Sequence, residues 1–144
     1  MAGETRGYDV RVTWDQDDGG TVHVEGMPDL RVAKPRDEGS TPELYTPEHL
    51  FVAAATVCFM NSFIYFTQRM HIEFKSFECS ATGILEQVDR SFEVTRISTK
   101  SHLVIESENL RQKSERALEL GAKYCFVANS MKCQVTHENE IVVK

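Results

Sequence analysis

The chain has 144 residues, the usual length of one domain, and a formal net charge of −6 at pH 7. Nucleic acids and anionic membranes select basic surfaces, so this charge argues against both as main partners. The first ten residues, MAGETRGYDV, contain no apolar segment of a secretory signal, and a cytoplasmic location is therefore expected. We predict that residues 1–144 form a single domain.

The N-terminal part of the chain predicts short strands. Residues 8–15 alternate apolar and polar side chains, which indicates a half-buried strand. A DQDDGG turn follows, and residues 21–26 predict the return strand of a hairpin. A third short strand is expected within residues 27–34, and residues 35–46, which contain two prolines and a glycine, predict a loop.

A long apolar helix is predicted from Thr46 to about Arg69. Thr46 suits the N-cap, and Pro47 suits the first helical position, where a missing N–H costs nothing. Apolar residues cover nearly every face of this helix, so it must be enclosed on all sides. So small a chain cannot enclose it alone, which indicates a second copy. The apolar run itself, Leu50 to Met60, is too short and too polar to predict a membrane span.

The C-terminal half predicts two strands, a helix and a last strand. Residues 74–87 and 92–107 read as antiparallel partners, and an amphipathic helix is expected from about Glu108. The helix is followed by a tight turn, FVANSM, and a strand within residues 132–144. The apolar face predicted for the first long strand consists of Phe77, Cys79, Ala81 and Leu85. The packing face predicted for the helix consists of Leu110, Ala117, Leu118 and Gly121. Helices and strands are segregated along the chain, which predicts the α+β class.

The four cysteines are Cys58, Cys79, Cys125 and Cys133. In a reducing compartment, cysteines are more often catalytic, metal-bound or packed than disulfide-bonded. There is no CxxC pair, and the cysteine and histidine spacing matches no common zinc pattern, so no metal site is expected. Cys79 and Cys133 lie in strand patterns and are interpreted as packed residues. Cys58 and Cys125 would form a redox pair if the fold brings them together, because one thiol can resolve the sulfenic acid of the other.

The sequence around these two cysteines resembles a known family. The segments TPEHLFVAAATVCF and AKYCFVANSMK, whose cysteines are separated by 66 residues, are similar to the OsmC/Ohr family of thiol peroxidases. The resemblance extends from Thr46 to the C-terminus. It implies an intertwined homodimer in which antiparallel sheets wrap around long central helices. It also implies the reduction of organic hydroperoxides without a metal or an organic cofactor.

The resemblance implies that Cys58 is the peroxidatic thiol and Cys125 the resolving thiol, and that a lipoyl-type dithiol reduces their disulfide. An ordinary thiol, with a pKa of about 8.5, is mostly protonated at neutral pH, and burial raises that pKa. Lowering a thiol pKa by two units takes about 2.7 kcal/mol. In the family an arginine, oriented by a glutamate, supplies this stabilisation. Glu48 matches that glutamate in its motif and in its spacing from Cys58.

The activating arginine is where the chain departs from the family pattern. One branch carries it in the glycine-rich hairpin, where the DQDDGG turn of this chain has three aspartates and no arginine. Another branch carries it in the loop before the helix. Arg36 lies in that loop, twelve residues before Glu48, and is the predicted activator. Arg31 is the reserve candidate, and a solvated loop charge is the alternative interpretation of both.

The role of Glu48 depends on the geometry of the helix. Ten residues of straight helix separate Glu48 from Cys58 by about 15 Å, which no side chain spans. Glu48 would therefore serve Cys58 of the partner subunit, unless the helix kinks. The alternative is that Glu48 only stabilises the helix N-terminus, by about 0.3–1 kcal/mol. The neighbouring His49 is interpreted as a solvated residue of the first turn.

Three functions fit these residues. The leading hypothesis is a homodimeric cysteine-based peroxidase that acts on organic hydroperoxides. A non-catalytic binding dimer with an apolar pocket is the alternative, and the unmatched arginine favours it. A structural or stress-associated dimer has no positive indication in the sequence, and a hydrolase is disfavoured because no catalytic Ser-His-Asp or Cys-His spacing is present.

Overall fold

The computed structural model describes residues 3–35 and 42–144. Arg36, the predicted activator, lies outside the described residues. The chain divides into two compact units, Met1–Leu50 and Phe51–Lys144.

The first unit contains a three-stranded antiparallel sheet. Its strands are β1 (Arg11–Trp14), β2 (Gly20–His23) and β3 (Leu30–Val32), in the order β1-β2-β3. The predicted hairpin is confirmed, with Trp14 opposite Gly20. Gly19 closes its turn with a φ of +89°, and a Cβ at this position would collide with the carbonyl oxygen of Val32. This turn therefore requires glycine at position 19.

The apolar face that precedes and includes β1 is exposed. The side chains of Tyr8, Val10, Val12 and Trp14 are 58–83% exposed. The prediction of a half-buried strand is therefore wrong for a single chain, because no described residue covers this face. An apolar face of this kind is typical of a surface that another protein covers.

The long helix α1 spans Pro47–Arg69, as predicted. Its buried residues are Ala55, Phe59, Phe63 and Thr67, which recur every fourth position and form one stripe. Val57 and Tyr65, on other faces, are about half exposed. One chain therefore covers a single face of α1, and the enclosure predicted from its composition is incomplete.

By length and composition alone, α1 is long and apolar enough to cross a membrane, which corrects the prediction made from its apolar run. The core helix of a globular protein passes the same test. The buried stripe of α1 packs on the aromatic residues of a sheet, with the Phe63 ring 4.8 Å from that of Phe77. This packing is that of a core helix.

The second unit contains a three-stranded sheet in the order β4-β5-β6, formed by Ser76–Val88, Ser91–Ile105 and Gln134–Val143. β4 and β5 are antiparallel, as predicted, whereas β6 runs parallel to β5. The α+β class is confirmed, with one mixed sheet. Leu85 is 50% exposed, so the prediction that it shares the packed face of Phe77 and Cys79 is wrong for a single chain. A register shift lies beside it, between Ile84 and Leu85, and leaves Thr95 of β5 without a register partner in β4.

Two helices connect β5 to β6. A 3₁₀ turn at Glu108–Leu110 precedes α2 (Arg111–Lys123), and the short helix α3 (Phe126–Asn129) occupies the predicted tight turn. The predicted stripe of α2 is largely confirmed, since Ala117, Leu118 and Gly121 are buried. A Cβ at Gly121 would lie 3.1 Å from the backbone nitrogen and Cα of Phe63. The backbones of α1 and α2 therefore approach closely at this glycine, which brings the end of α2 against α1.

Candidate active site

The two cysteines predicted to form a redox pair lie on neighbouring elements of the second unit. Cys58 is at the middle of α1 and is half-buried. Cys125 follows α2, occupies the N-cap of α3 and has no exposed surface. Its backbone is extended, with φ −73° and ψ 105°, because the chain changes direction between the two helices at this residue.

Two hydrogen bonds join the segments that carry these thiols. The Sγ of Cys125 donates to the carbonyl oxygen of Ala55 at 3.8 Å, one turn before Cys58 on α1. The backbone N–H of Val127 donates to the Sγ of Cys58 at 3.5 Å. The Cys58 side chain also lies close enough to Cys125 to raise the pKa of the Cys125 thiol. The fold thus brings together two sulfur atoms from distant parts of the sequence.

The environment of Cys125 favours its protonated form. Burial raises the pKa of the Cys125 thiol, and its contact with Cys58 raises it further. The backbone N–H groups of Ala128 and Val127 oppose this effect, because they would donate to a thiolate. Burial is the largest of these effects, so Cys125 is held as a thiol at neutral pH.

Aromatic packing fixes the part of α1 that carries Cys58. The ring of Phe63 lies 5.5 Å from Phe74 and 4.8 Å from Phe77, and the ring of Phe59 lies 4.2 Å from His137. The His137 ring also hydrogen-bonds Thr99 Oγ1 through Nδ1 at 2.8 Å, and burial lowers the pKa of this histidine. His137 is therefore a neutral core residue. These contacts hold the helix in one position on the sheet.

Glu48 lies in the first turn of α1, and its side chain is exposed. α1 is uninterrupted from Pro47 to Arg69, so ten helical residues, or about 15 Å, separate Glu48 from Cys58 of the same chain. The structure does not show the kink that would bring them together. A role for Glu48 at Cys58 of the partner subunit stays a prediction.

The predicted N-cap of α1 is confirmed, and His49 completes it. Thr46 Oγ1 accepts the N–H of His49, and the Nδ1 of His49 accepts the N–H of Thr46, both at 3.1 Å. This reciprocal pair is a capping box in which histidine replaces the usual glutamate or glutamine. His49 is exposed in the first turn, as predicted, and its ring in addition satisfies a backbone donor of the helix start.

The reserve arginine has an evident structural partner. Arg31 Nη2 donates to the carbonyl oxygen of Asp18 at 2.7 Å, within the first unit. Its side chain also lines an open pocket of that unit, together with Tyr45 and His49. These contacts are those of an arginine that joins a turn to a strand.

Among the described residues, the other two cysteines and the possible metal-binding side chains do not form a second candidate site. Cys79 and Cys133 are half-buried on β4 and just before β6, in line with their interpretation as packed residues. Among residues 3–35 and 42–144, no three His, Cys, Asp or Glu side chains converge as a metal-binding group.

The sequence indicated the two thiols but not the backbone N–H of Val127. The FVANSM segment predicted a turn, and only the structure shows that this turn is a short helix with Cys125 at its N-cap. The first N–H groups of a helix lack acceptors within it. The sequence feature that could have suggested these donors is a cysteine directly before a predicted turn, because backbone N–H groups of the turn then lie near its sulfur atom.

Several solved structures have the same fold. An OsmC-like protein of unknown function from Vibrio cholerae O1 biovar eltor matches with a TM-score of 0.83 and 22% identity, over 94% of this chain and 100% of its own. A Legionella pneumophila protein, described as organic hydroperoxide resistance protein OsmC, matches with a TM-score of 0.71 and 18% identity. The match covers 96% of this chain and 100% of its own. Organic hydroperoxide resistance protein OhrB of Bacillus subtilis matches with a TM-score of 0.64 and 19% identity. The match covers 93% of this chain and 98% of its own.

No curated protein is significantly similar to the chain in sequence. The family model described as OsmC-like protein matches residues 39–140, which is well over half of the chain and includes Glu48, Cys58 and Cys125. The architecture agrees with this match, since the chain has the same fold as an OsmC-like protein of known structure. The chain therefore belongs to the OsmC-like protein family.

Proposed function

We propose that this protein is a cysteine-based peroxidase that reduces organic hydroperoxides, with Cys58 as peroxidatic and Cys125 as resolving thiol. The observation that carries the proposal is that each thiol hydrogen-bonds the backbone of the segment that carries the other thiol. The half-buried Cys58 is the sulfur that a peroxide can reach, and the fully buried Cys125 is not. The hydroperoxide resistance proteins among the structural neighbours support the choice of substrate.

The proposed reaction begins at Cys58. Its thiolate attacks the terminal oxygen of the hydroperoxide, the O–O bond breaks, and the sulfur takes the OH group to become a sulfenic acid. The alkoxide leaves and takes up a proton to give the alcohol. The Cys125 thiol then condenses with the sulfenic acid, which forms the S–S bond and releases water. An external dithiol reduces this disulfide and is itself oxidised to a disulfide.

We expect the protein to act as a homodimer. The exposed face of Tyr8, Val10, Val12 and Trp14 and the exposed sides of α1 support this proposal, because both are apolar surfaces that one chain leaves uncovered. A lipoyl-type dithiol is the proposed reductant. The acidic net charge supports a protein without nucleic-acid or membrane partners, and a cytoplasmic location is part of the proposal.

The proposed disulfide is tested by mass spectrometry of the reduced protein after one equivalent of cumene hydroperoxide. We expect a single crosslinked peptide pair that joins Cys58 to Cys125, because each sulfur atom lies against the segment that carries the other. Cys79 and Cys133 are expected to remain free thiols. Oxidation spread over all four cysteines, or no crosslink, would remove the proposed redox pair.

The activation of Cys58 is proposed to require Arg36 and Glu48. Arg36 would stabilise the thiolate, and Glu48 would orient that arginine. The exposed position of Glu48 in a single chain, and its distance from Cys58 along α1, support an action on the partner subunit.

Subunit complementation tests these two roles. Glu48→Gln and Arg36→Met homodimers are each expected to lose about 100-fold in the rate of Cys58 oxidation, as for the loss of about 2.7 kcal/mol of thiolate stabilisation. Arg31→Met serves as the control. A mixed dimer of Glu48→Gln and Cys58→Ser chains should regain one working site if Glu48 acts across the interface. An inactive mixed dimer would assign Glu48 to its own subunit or to the helix N-terminus alone.

A non-catalytic binding dimer remains the alternative function. The observation that favours it is the lack of any arginine hydrogen bond to Cys58 Sγ among the described residues, where the donor is the N–H of Val127. Under this alternative, peroxide would leave both thiols free in the mass-spectrometric experiment.

A further inference from the structure

We infer that the backbone N–H of Val127 is a positioning group that stabilises the thiolate of Cys58 and directs its sulfur towards Cys125. Its meaning for catalysis rests on the proposed function. The observation is the hydrogen bond of 3.5 Å from Val127 N to Cys58 Sγ, which crosses from the turn of α3 to the middle of α1.

The geometry makes this N–H a fixed donor. The carbonyl groups of Cys125, Val127 and Ala128 accept the N–H groups of residues 129–131, which closes the turn. The N–H of Val127 is at the start of α3, where a helix has no acceptor of its own for it. It can therefore donate to sulfur without breaking any backbone bond, and its direction is set by the backbone.

The surroundings of Cys58 are mostly apolar, so the hydrogen bond from Val127 is an important polar contact of its sulfur. Cys58 packs against an apolar cluster that includes Phe59, Phe63 and Leu118. The titratable group that faces Cys58 from the α3 turn is Cys125, which burial keeps protonated. Among the described residues, no charged side chain donates a hydrogen bond to Cys58 Sγ. A hydrogen bond to an ionised group in such surroundings is stronger than one to a neutral group.

The same donor links activation to resolution. Val127 is two residues from Cys125, and the N–H groups of Val127 and Ala128 both lie near the Cys125 sulfur. A movement of the α3 turn would therefore change the contact between the thiols and the donor at Cys58 together. The turn that carries the resolving cysteine also positions the peroxidatic one.

The test removes one N–H by a proline substitution. Val127→Pro deletes the donor, and the pH midpoint of Cys58 alkylation by iodoacetamide, followed on the Cys58 peptide, is expected to rise by about one unit. At pH values well below the midpoint, alkylation should be about tenfold slower. The experiment uses reduced full-length protein without peroxide, so its result is independent of peroxidase activity.

Phe126→Pro is the matched control. It deletes the adjacent N–H at the first position of α3, which tolerates proline, and the extended backbone of Cys125 suits a residue before proline. The Phe126 side chain is 75% exposed, so little packing is lost. The Cys58 midpoint of this variant should equal that of the unaltered protein.

A backbone ester in place of the amide at position 127 provides a second variant. It replaces the N–H by oxygen and keeps the valine side chain. This variant is used if the circular dichroism spectrum of Val127→Pro shows that the proline variant is unfolded. A raised midpoint in either folded variant supports the inference even if the protein reduces no peroxide. An unchanged midpoint in a folded Val127→Pro or ester variant, or an equal rise in Phe126→Pro, would overturn it.

Discussion

Cys58→Ser should reduce peroxide turnover with dihydrolipoamide by at least about a thousandfold. A serine hydroxyl is a far weaker nucleophile than a thiolate near neutral pH, and it cannot form the sulfenic acid on which the proposed cycle depends. Loss of a nucleophile removes the catalysed route as a whole, so the effect exceeds that of any neighbouring group. The rate of cumene hydroperoxide consumption measures it.

Two comparisons make the Cys58→Ser result specific. Cys133→Ser, which alters a half-buried thiol just before β6, should keep a rate within about twofold, because a surface-near substitution changes stability little. Cys125→Ser should still consume one equivalent of peroxide and then stall as a sulfenic acid. Equal rates for the Cys58→Ser and unaltered proteins would end the peroxidase proposal.

Phe63→Ala should lower the free energy of unfolding by about 3–5 kcal/mol. Phe63 has no exposed surface, and its ring packs on Phe74 and Phe77 of the sheet side. Its backbone also touches α2 at Gly121, so the cavity lies at the junction of α1, α2 and β4. Urea unfolding followed by circular dichroism, at one fixed protein concentration, measures the change.

Phe92→Ala is the matched control for the core substitution. Phe92 lies at the start of β5 and is 62% exposed, so its truncation should cost less than about 0.5 kcal/mol. A loss below about 1 kcal/mol for Phe63→Ala would show that α1 is not held on the sheet as the structure describes.

The helices and strands with a strong hydrophobic periodicity could be predicted from the sequence. The cap and first turn of α1, its end at Arg69 and the long β4–β5 hairpin follow from local patterns. The parallel pairing of β6 could not be predicted, because strand direction depends on how α2 crosses the sheet. Nor could the register shift beside Leu85, since an extra residue in one strand, here Thr95 of β5, has no signature in composition.

The candidate site was predictable in its residue types and less so in its geometry. The thiols of Cys58 and Cys125 could be paired by resemblance, but their contact depends on the close approach of α1 and α2 at Gly121, which is a long-range feature. The exposed face of Tyr8 and Trp14 was predicted as buried because the alternation pattern does not say which molecule covers it. The donor at Val127 is a backbone group and therefore has no signature in side-chain identity.

The unequal burial of the two sulfur atoms determines where a reducing thiol can enter once they are bonded. Cys125 offers no surface to a second molecule, whereas Cys58 is partly open. In the proposed cycle an incoming dithiol would therefore attack the sulfur of Cys58, with Cys125 as the leaving group. Because its surroundings raise the pKa of that thiol, its departure would require a proton to arrive with it. Reduction of the proposed disulfide would then depend on a proton donor that reaches a sulfur closed to solvent.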